Sequence, residues 1–328
     1  MPSAPPSAAI VAHDLVKTYP AGRGAEPVRA LDGLSVEVGA GSVVALLGRN
    51  GAGKSTTVKI LTTLARADSG TAVVAGIDVR HDQEGVRRAI GLVGQKASSD
   101  PMATGRENLL LAGRIQGLTR ADAAARAGEL LGRFDLVDAA DRLAKTYSGG
   151  MARKLDVAIG LVHRPHVLFL DEPTTGLDPE ARARMWAEIE RLAAEERTTV
   201  LLTTHYLDEA DRLADRVAIV DAGAVIVEGS PERLKSELRG DALQIELAAP
   251  SPAALPALAA VAGLREPSAD GLRLRARADV GARAVPAVLA ALDDAGVAVA
   301  SVTVARPSLD DVYLQHVGRA FTTPEVAA

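Results

Sequence analysis

The sequence contains no cysteine, which excludes disulfide bonds, thiolate metal sites and cysteine nucleophiles. It also lacks an uninterrupted apolar run of the roughly 18 to 20 residues that a membrane-spanning helix requires. We therefore expect that the chain does not cross a membrane by itself. The first residues, MPSAPPSAA, have neither the basic start nor the apolar core of a secretory signal. This segment predicts a flexible tail over residues 1–8 and a cytoplasmic protein.

An excess of positive charge is also absent. The chain carries 37 Lys and Arg against 42 Asp and Glu, a net charge of -5. Such a balance gives no broad electrostatic footprint for nucleic acid, so no nucleic-acid partner is expected. At roughly 150 residues per domain, the 328 residues allow two compact domains.

Short apolar strands alternate with helical segments over residues 9–235. The runs GSVVALLG, HVLFLD and TTVLLTTH read as buried strands, and PEARARMWAEIERLAAE reads as an amphipathic helix. This alternation is typical of an α/β domain with a parallel sheet and crossover helices. Within it, residues 100–160 read as a helical subdomain. Two candidate capping boxes open its helices, Thr104 with Glu107 and Thr119 with Asp122.

The pattern changes over residues 236–328. Three alternating runs, LQIEL, LRLRARA and VAVASVTVA, are separated by two helical segments, which predicts a small α+β accessory or regulatory domain in βαβαβ order. In the second run Arg273, Arg275 and Arg277 share one side of a strand, so we expect them to form one solvated face.

The strongest local motif is GRNGAGKS, residues 48–55, between a predicted strand and a predicted helix. It matches the phosphate-binding P-loop pattern G-x-x-x-x-G-K-[ST]. The glycines allow backbone N–H groups to curl around phosphates, Lys54 can reach the β- and γ-phosphates, and Ser55 can ligate Mg²⁺. The motif predicts a site for a nucleoside triphosphate with Mg²⁺.

A second motif ends the strand VLFLD with the acidic pair Asp171 and Glu172. Open parallel sheets bind ligands at the carboxyl ends of their strands, where this pair lies. The two carboxylates can divide their roles: Asp171 bonds to the Mg²⁺ shell, and Glu172 orients or deprotonates the attacking water.

A third motif, KTYSGGMARK, places Ser148, Gly149 and Gly150 at the predicted start of a helix, about ninety residues after the P-loop. A helix start with a serine and two glycines is a second candidate phosphate site. One nucleotide needs only one phosphate cradle, and the P-loop already surrounds the phosphates on one side.

These motifs, together with LLTTH, occur in the order and spacing of an ABC-transporter nucleotide-binding subunit, a P-loop NTPase, which the first domain resembles along nearly its whole length. The resemblance implies catalytic roles for Glu172, His205 and Gln95. For the metal it implies Ser55, Gln95 and Asp171. The residues that it implies for ATP binding are Tyr19, Gly48, Asn50, Gly51, Gly53, Lys54, Ser55, Thr56, Ser148, Gly149, Gly150 and Asp178.

YSGGM and the C-terminal PSLDDVYL, Pro307–Leu314, are similar to the ATP-binding subunits of daunorubicin-resistance-type drug exporters. The resemblance implies ATP hydrolysis that powers efflux of a hydrophobic drug through separate transmembrane permease subunits. It also implies a homodimer with two ATP molecules sandwiched at the interface, on the inner face of the cell membrane. The signature would then face the partner's nucleotide.

The general family signature reads L-S-G-G-Q, whereas Tyr147 and Met151 flank the shared core here. Met151 cannot make the hydrogen bonds of a glutamine side chain, but backbone N–H groups of the core do not depend on it. Two alternatives remain open. One is a non-transport ABC-type ATPase, although no second nucleotide-binding domain or long coiled coil is present. The other is a GTP-binding switch, although no N-K-x-D motif occurs.

Overall fold

The structure, a computed structural model, describes residues 8–20, 26–238 and 240–318. The chain divides into two compact units between Ser230 and Pro231. The predicted flexible tail lies outside the described residues except for Ala8, which begins the first strand and so does not belong to a tail. Among the described residues, no helix is long and apolar enough to span a bilayer.

The first unit contains two sheets and seven α-helices among its described residues. Its strands are β1 (Ala8–Tyr19), β2 (Val28–Gly39), β3 (Val43–Leu47), β4 (Ser69–Val74), β5 (Ile77–Asp78), β6 (Ile90–Val93), β7 (Val167–Asp171), β8 (Thr199–Thr204), β9 (Arg216–Asp221) and β10 (Ala224–Gly229). Its helices are α1 (Lys54–Leu61), α2 (Gln83–Ala89), α3 (Gly105–Ile115), α4 (Arg120–Arg133), α5 (Gly149–Gly160), α6 (Pro179–Glu196) and α7 (Leu207–Leu213).

The larger sheet has the order β10-β9-β3-β8-β7-β6, and its pairs are parallel except for β9 with β10. Every residue of β3, β7 and β8 is buried, which explains their almost continuous apolar sequences. The predicted buried parallel sheet is confirmed. Strand β8 lies between β3 and β7, so the ends of all three strands meet at one edge of the sheet.

The smaller sheet is antiparallel, in the order β2-β1-β4-β5. Its inward-facing residues, among them Ile10, Leu34 and Val74, join one hydrophobic core with residues of β3, β7 and α1. This shared core fixes the position of the helix α1 relative to the strand β3. The P-loop connects these two elements.

Helices α3, α4 and α5 occupy the region predicted as helical. The Thr104 side chain accepts from the Glu107 N–H while the Glu107 carboxylate accepts from the Thr104 N–H, which completes the predicted capping box of α3. At α4, Thr119 Oγ1 accepts from the Asp122 N–H, but the Asp122 carboxylate accepts from the Thr119 hydroxyl, so only the threonine half of the predicted capping box forms. Each cap satisfies N–H groups that the first turn of a helix leaves without an internal partner.

The second unit is a four-stranded antiparallel sheet with helices. It contains α8 (Pro231–Glu237), β11 (Asp241–Leu247), α9 (Ala254–Ala259), β12 (Leu264–Asp270), β13 (Arg273–Ala278), α10 (Gly281–Asp294), β14 (Val299–Ala305) and α11 (Leu309–Val317). The strand order is β12-β13-β11-β14, a ferredoxin-like βαββαβ arrangement. The predicted βαβαβ order missed β12, whose sequence LREPSAD is polar. Its Pro267 is tolerated because β12 is an edge strand.

The prediction of a solvated arginine face on β13 is wrong at one end. Arg273 is exposed, but Arg277 is only 8% exposed. The Arg277 Nε lies 3.3 Å from a carboxylate oxygen of Glu266, and its Nη2 lies 3.8 Å from Asp311 of α11. Strand alternation predicted which side the arginines share, but it could not predict that α11 approaches that side.

Candidate functional site

The P-loop connects the end of β3 to the start of α1, as the sequence predicted. Gly53 precedes the helix with φ 110° and provides no side-chain cap, so the first N–H groups of α1 remain for a phosphate. A Cβ on Gly48 would lie 2.4 Å from the Val220 carbonyl oxygen. Glycine is therefore required at both positions, for backbone conformation at Gly53 and for close approach at Gly48.

The Lys54 side chain is folded into this loop. Its Nζ donates to the carbonyl oxygens of Gly48 (2.6 Å) and Arg49 (3.1 Å) and lies 3.9 Å from Glu172 Oε1. Burial lowers the pKa of Lys54, and the carboxylates of Glu172 and Asp171 oppose that shift. The loop thus holds a cation next to both acidic residues.

The three residues predicted to hold a metal lie together at the edge of the sheet. Asp171 Oδ1 accepts from Ser55 Oγ at 3.1 Å and from Thr203 Oγ1 at 2.6 Å. The Gln95 amide nitrogen lies 3.5 Å from Ser55 Oγ. A hydroxyl, a carboxylate and an amide supply the oxygen donors that Mg²⁺ prefers. Among the described residues, no group of three or more His, Cys, Asp or Glu side chains forms an all-protein metal cage.

Glu172 stands directly beside this cluster in an uncommon backbone conformation, with φ 51°. Its N–H donates to both the carbonyl and the hydroxyl oxygen of Thr203, each at 3.1 Å. The His205 Nδ1 lies 3.4 Å from Glu172 Oε1. The interaction with His205 lowers the pKa of Glu172, Lys54 and Thr175 add to this effect, and burial opposes it. The carboxylate is therefore ionised at neutral pH, the state in which it can accept a proton.

The signature residues lie at the start of α5, as predicted. Ser148 is the N-cap and its Oγ accepts from the Met151 N–H at 3.3 Å, while Gly149 and Gly150 form the first turn. Ser148, Gly150 and Asp178 line a cleft of about 390 Å³, and none of the P-loop residues 48–55 lines it. Within one chain, the signature and the P-loop therefore face different spaces.

The remaining candidates occupy the ends of elements. Asp178 caps α6 and accepts from the Ala181 N–H at 2.8 Å. Tyr19 ends β1, with the Lys17 ammonium 5.4 Å from its ring centre. Asn50 and Gly51 are exposed in the P-loop, and Thr56 lies in the first turn of α1. Stacking of adenine on Tyr19 stays a prediction.

Tyr147 connects the signature to the helical region. Its hydroxyl donates to the Ala139 carbonyl at 2.7 Å, and a Cβ on Gly105 would lie 2.1 Å from that hydroxyl. The tyrosine that replaces the usual leucine of the signature therefore has a defined anchoring contact. Met151 follows as a half-buried residue of α5.

Two side chains that support the site were not singled out from the sequence. Thr203 contacts both acidic residues, and Arg153 donates to carbonyl groups around them. The threonine pair before His205 was a usable signal for the first. A charged residue three positions after Gly150 was only a weak signal for the second, because arginines on helices are usually exposed.

Glu209 of α7 is a buried acid next to the loop after Glu172. It is fully buried, and its Oε1 accepts from Thr174 Oγ1 (2.7 Å) and Trp186 Nε1 (3.0 Å), while Oε2 has no hydrogen-bond partner among the described residues. Burial raises its pKa, and hydrogen bonds to the carboxylate, including the one from Thr174, oppose the shift.

We expect Glu209→Gln to reduce the loss of stability that occurs as the pH rises above the unfolded-state pKa of Glu209. Because the folded-state pKa is raised, stability is full below the unfolded-state pKa and falls as pH rises towards the folded value, by about 1.4 kcal/mol per pH unit. Gln keeps the oxygen that accepts from Thr174 and has no charge to bury. Thermal midpoints of both proteins at about pH 5 and about pH 8 measure this. Parallel pH dependences of the two proteins would contradict it.

Comparison with known proteins decides the family. The ABC transporter family profile matches residues 31–175, and the profile "ATP-binding protein DrrA1-3-like, C-terminal domain" matches residues 229–317. The chain is 48% identical to a daunorubicin/doxorubicin resistance ATP-binding protein of Streptomyces peucetius, over 95% of this chain and 93% of that protein. The chain belongs to the ATP-binding subunits of ABC transporters.

Other relatives and solved structures agree with this assignment. A doxorubicin resistance ATP-binding protein of Mycobacterium tuberculosis is 42% identical, over 93% of this chain and 92% of that protein. An ATP-binding cassette solved as a dimer in a post-hydrolysis state, bound to ADP and phosphate, superposes with a TM-score of 0.62 at 25% identity and covers 67% of this chain and 98% of its own. Part of an ABC transporter complex from Clostridium perfringens gives 0.63 at 26% identity, over 70% and 91%.

The predicted α/β P-loop fold and the predicted ATPase are thus confirmed. The chain binds ATP and couples its hydrolysis to transport, and the ATP-binding subunits of this family generally work as dimers with separate transmembrane subunits.

Proposed function

We propose that this chain powers the export of a hydrophobic drug through separate transmembrane subunits, on the inner face of the cell membrane. The observation that carries the proposal is the 48% identity to a daunorubicin/doxorubicin resistance ATP-binding protein, which extends over 95% of the chain. The match includes the C-terminal unit as well as the ATPase unit. We infer that residues 9–235 are the ATP-binding domain and that residues 236–328 have an accessory or regulatory role.

We assign the chemistry to residues that meet at the ends of β3, β7 and β8. Ser55, Gln95 and Asp171 would hold Mg²⁺, which supplies charge neutralisation for the phosphates. Lys54 binds the β- and γ-phosphates. Glu172 orients the attacking water and accepts its proton, and His205, 3.4 Å away, stabilises the ionised Glu172 and can donate to the γ-phosphate.

The working unit that we propose is a head-to-tail homodimer with two ATP molecules at its interface. Support comes from the separation of the two phosphate sites, because the signature cleft contains no P-loop residue of the same chain. It also comes from the dimeric cassette with ADP and phosphate that this fold resembles. Closure on ATP and opening after hydrolysis would transmit force to the transmembrane subunits.

The test is to produce the chain with its transmembrane subunits in a drug-sensitive host. Wild type should lower cellular daunorubicin, and Lys54→Ala should abolish both ATPase activity and export. The exposed Lys59→Ala on α1 is the control and should behave as wild type. ATP hydrolysis by the full complex without any effect on accumulation of daunorubicin would contradict export of this drug.

A further inference from the structure

Helix α5 carries a buried arginine that contacts the catalytic region. Arg153 is 9% exposed, and within the described part of the chain its guanidinium makes four hydrogen bonds, all of them to backbone carbonyl oxygens. Two go to Asp171 and Glu172 (3.2 Å each), one to Pro173 (2.8 Å) and one to Gly94 (2.6 Å). One side chain of the signature helix thus holds the acidic pair and the residue before Gln95.

The strand geometry explains why these carbonyl groups need a donor. Strand β6 pairs with β7 only as far as Val93 opposite Leu170. On the β6 side, residues 171–173 lie beyond the last pair, so β6 offers their carbonyls no N–H, although Asp171 still pairs with Thr203 of β8 on the other side. The guanidinium supplies N–H donors in a planar fork, which a lysine cannot reproduce.

A second residue of α5 holds the other side of the Gln95 loop. Asp156 is 3% exposed, and its Oδ1 accepts from the N–H groups of Ser98 (2.9 Å) and Ser99 (3.1 Å). Arg153 and Asp156 are three positions apart, on one side of the helix. The segment around Gln95 is therefore fixed to α5 both before and after the glutamine.

We propose that Arg153 and Asp156 are positioning residues that couple the signature helix to Gln95 and Glu172. A nucleotide bound at the start of α5 would then change the position of both residues through these six hydrogen bonds. The inference rests on the proposed function for the role of the signature. It identifies the residues through which the signature helix contacts Gln95 and Glu172 within one chain, and the motifs alone do not identify them.

Variants of Arg153 and Asp156 can distinguish the effect of their hydrogen bonds from the effect of their packing in the core. Arg153→Met keeps a long apolar stem and removes all four hydrogen bonds, and Arg153→Lys keeps the charge without the fork. Asp156→Asn keeps the Oδ1 acceptor that receives both N–H groups, whereas Asp156→Ala removes it. Arg126→Met is the matched control, because Arg126 is 6% exposed and also donates to two carbonyls, those of Leu161 and Val162.

We expect Arg153→Met and Asp156→Ala to lower kcat by about 10- to 10²-fold, because small misplacements of catalytic groups have effects of this size. Affinity of the isolated chain for MgATP should change by less than about twofold, since no P-loop contact is altered. Asp156→Asn should recover most of the wild-type kcat, and Arg153→Lys should recover little. Arg126→Met should lower the thermal midpoint without a matching loss of kcat.

Amide hydrogen exchange provides a measurement that does not need hydrolysis. Asp156→Ala should raise exchange at Ser98 and Ser99, and Asp156→Asn should not. MgATP should protect residues 94–99 in a Glu172→Gln chain, and adding Arg153→Met should remove that protection while ATP remains bound.

Two results would overturn the proposal. One is a loss of kcat in Arg126→Met as large as in Arg153→Met at equal loss of stability. The other is unchanged exchange at Ser98 and Ser99 in Asp156→Ala. An inactive wild-type chain whose loop exchange still responds as expected would contradict the proposed function and leave the positioning role supported.

Discussion

Glu172→Gln is expected to bind MgATP normally and to lose about 10²- to 10⁴-fold in turnover, the usual effect of removing a general base. Gln has the size of Glu but cannot accept the proton of the attacking water. Nucleotide binding should persist because the bonds of Lys54 to the Gly48 and Arg49 carbonyls, at 2.6 and 3.1 Å, stay in place, although its 3.9 Å ion pair with Glu172 is lost. The ATP-bound dimer should then accumulate, since hydrolysis no longer opens it.

Two measurements check this expectation. Steady-state ATPase gives the loss of turnover, and sedimentation with and without MgATP gives the dimer. Glu84→Gln is a suitable control, because Glu84 is an exposed acid on α2 that pairs with Arg88 one turn away. Near-normal turnover of Glu172→Gln would remove Glu172 from the catalytic role. A variant that stays monomeric at micromolar concentration with MgATP would count against the sandwich dimer.

The sequence predicted the P-loop and the acidic pair well because both motifs are local. A buried parallel strand places the residues at its carboxyl end at the ligand-binding edge of the sheet, so a motif that directly follows such a strand can be located from the local sequence. That the P-loop, Asp171 and Glu172 would meet followed from one further inference, that a parallel sheet brings the carboxyl ends of its strands to one edge. Strand order itself needed the structure, which places β8 between β3 and β7.

The supporting residues could not be predicted in the same way. Arg153 reaches Gly94, 59 positions away in the chain, and Thr203 reaches Asp171 over 32 positions. Their roles depend on where the pairing of neighbouring strands ends and on which helix packs beside that end. A local sequence pattern predicts neither. The same reason explains Arg277, whose burial depends on the approach of α11.

The buried Glu209 helps to fix the loop that follows the acidic pair. Its Oε1 holds Thr174, two residues after Glu172, and also Trp186 of α6. Helix α6 begins after Asp178, which is predicted to bind ATP. The loop from Glu172 to Asp178 is therefore fixed near both ends, by Thr203 at the start and by the α6 cap at the end.

We expect Gly149→Asp and Lys54→Ala to have opposite effects: the first should leave the affinity of the monomer for MgATP unchanged, and the second should lower it. A Cβ on Gly149 meets no atom of the described residues within 4 Å, so the isolated chain should tolerate the substitution and bind ATP at its own P-loop. The added carboxylate would repel the phosphates of a partner's nucleotide, so closure and hydrolysis should be lost. Lys54→Ala should instead lower the affinity of the monomer for MgATP by about tenfold or more.

The decisive comparison is the MgATP affinity of the two variants as monomers, followed by dimerisation of Glu172→Gln with and without Gly149→Asp. Gly128→Asp is the control for adding an acid to a helical glycine with open space around it, and it should dimerise normally. We expect Gly149→Asp to bind MgATP like wild type and to stay monomeric in the Glu172→Gln background. A folded Gly149→Asp monomer that binds MgATP as weakly as Lys54→Ala would place the glycine pair in its own chain's site, because only a contact within the chain lowers the affinity of a monomer.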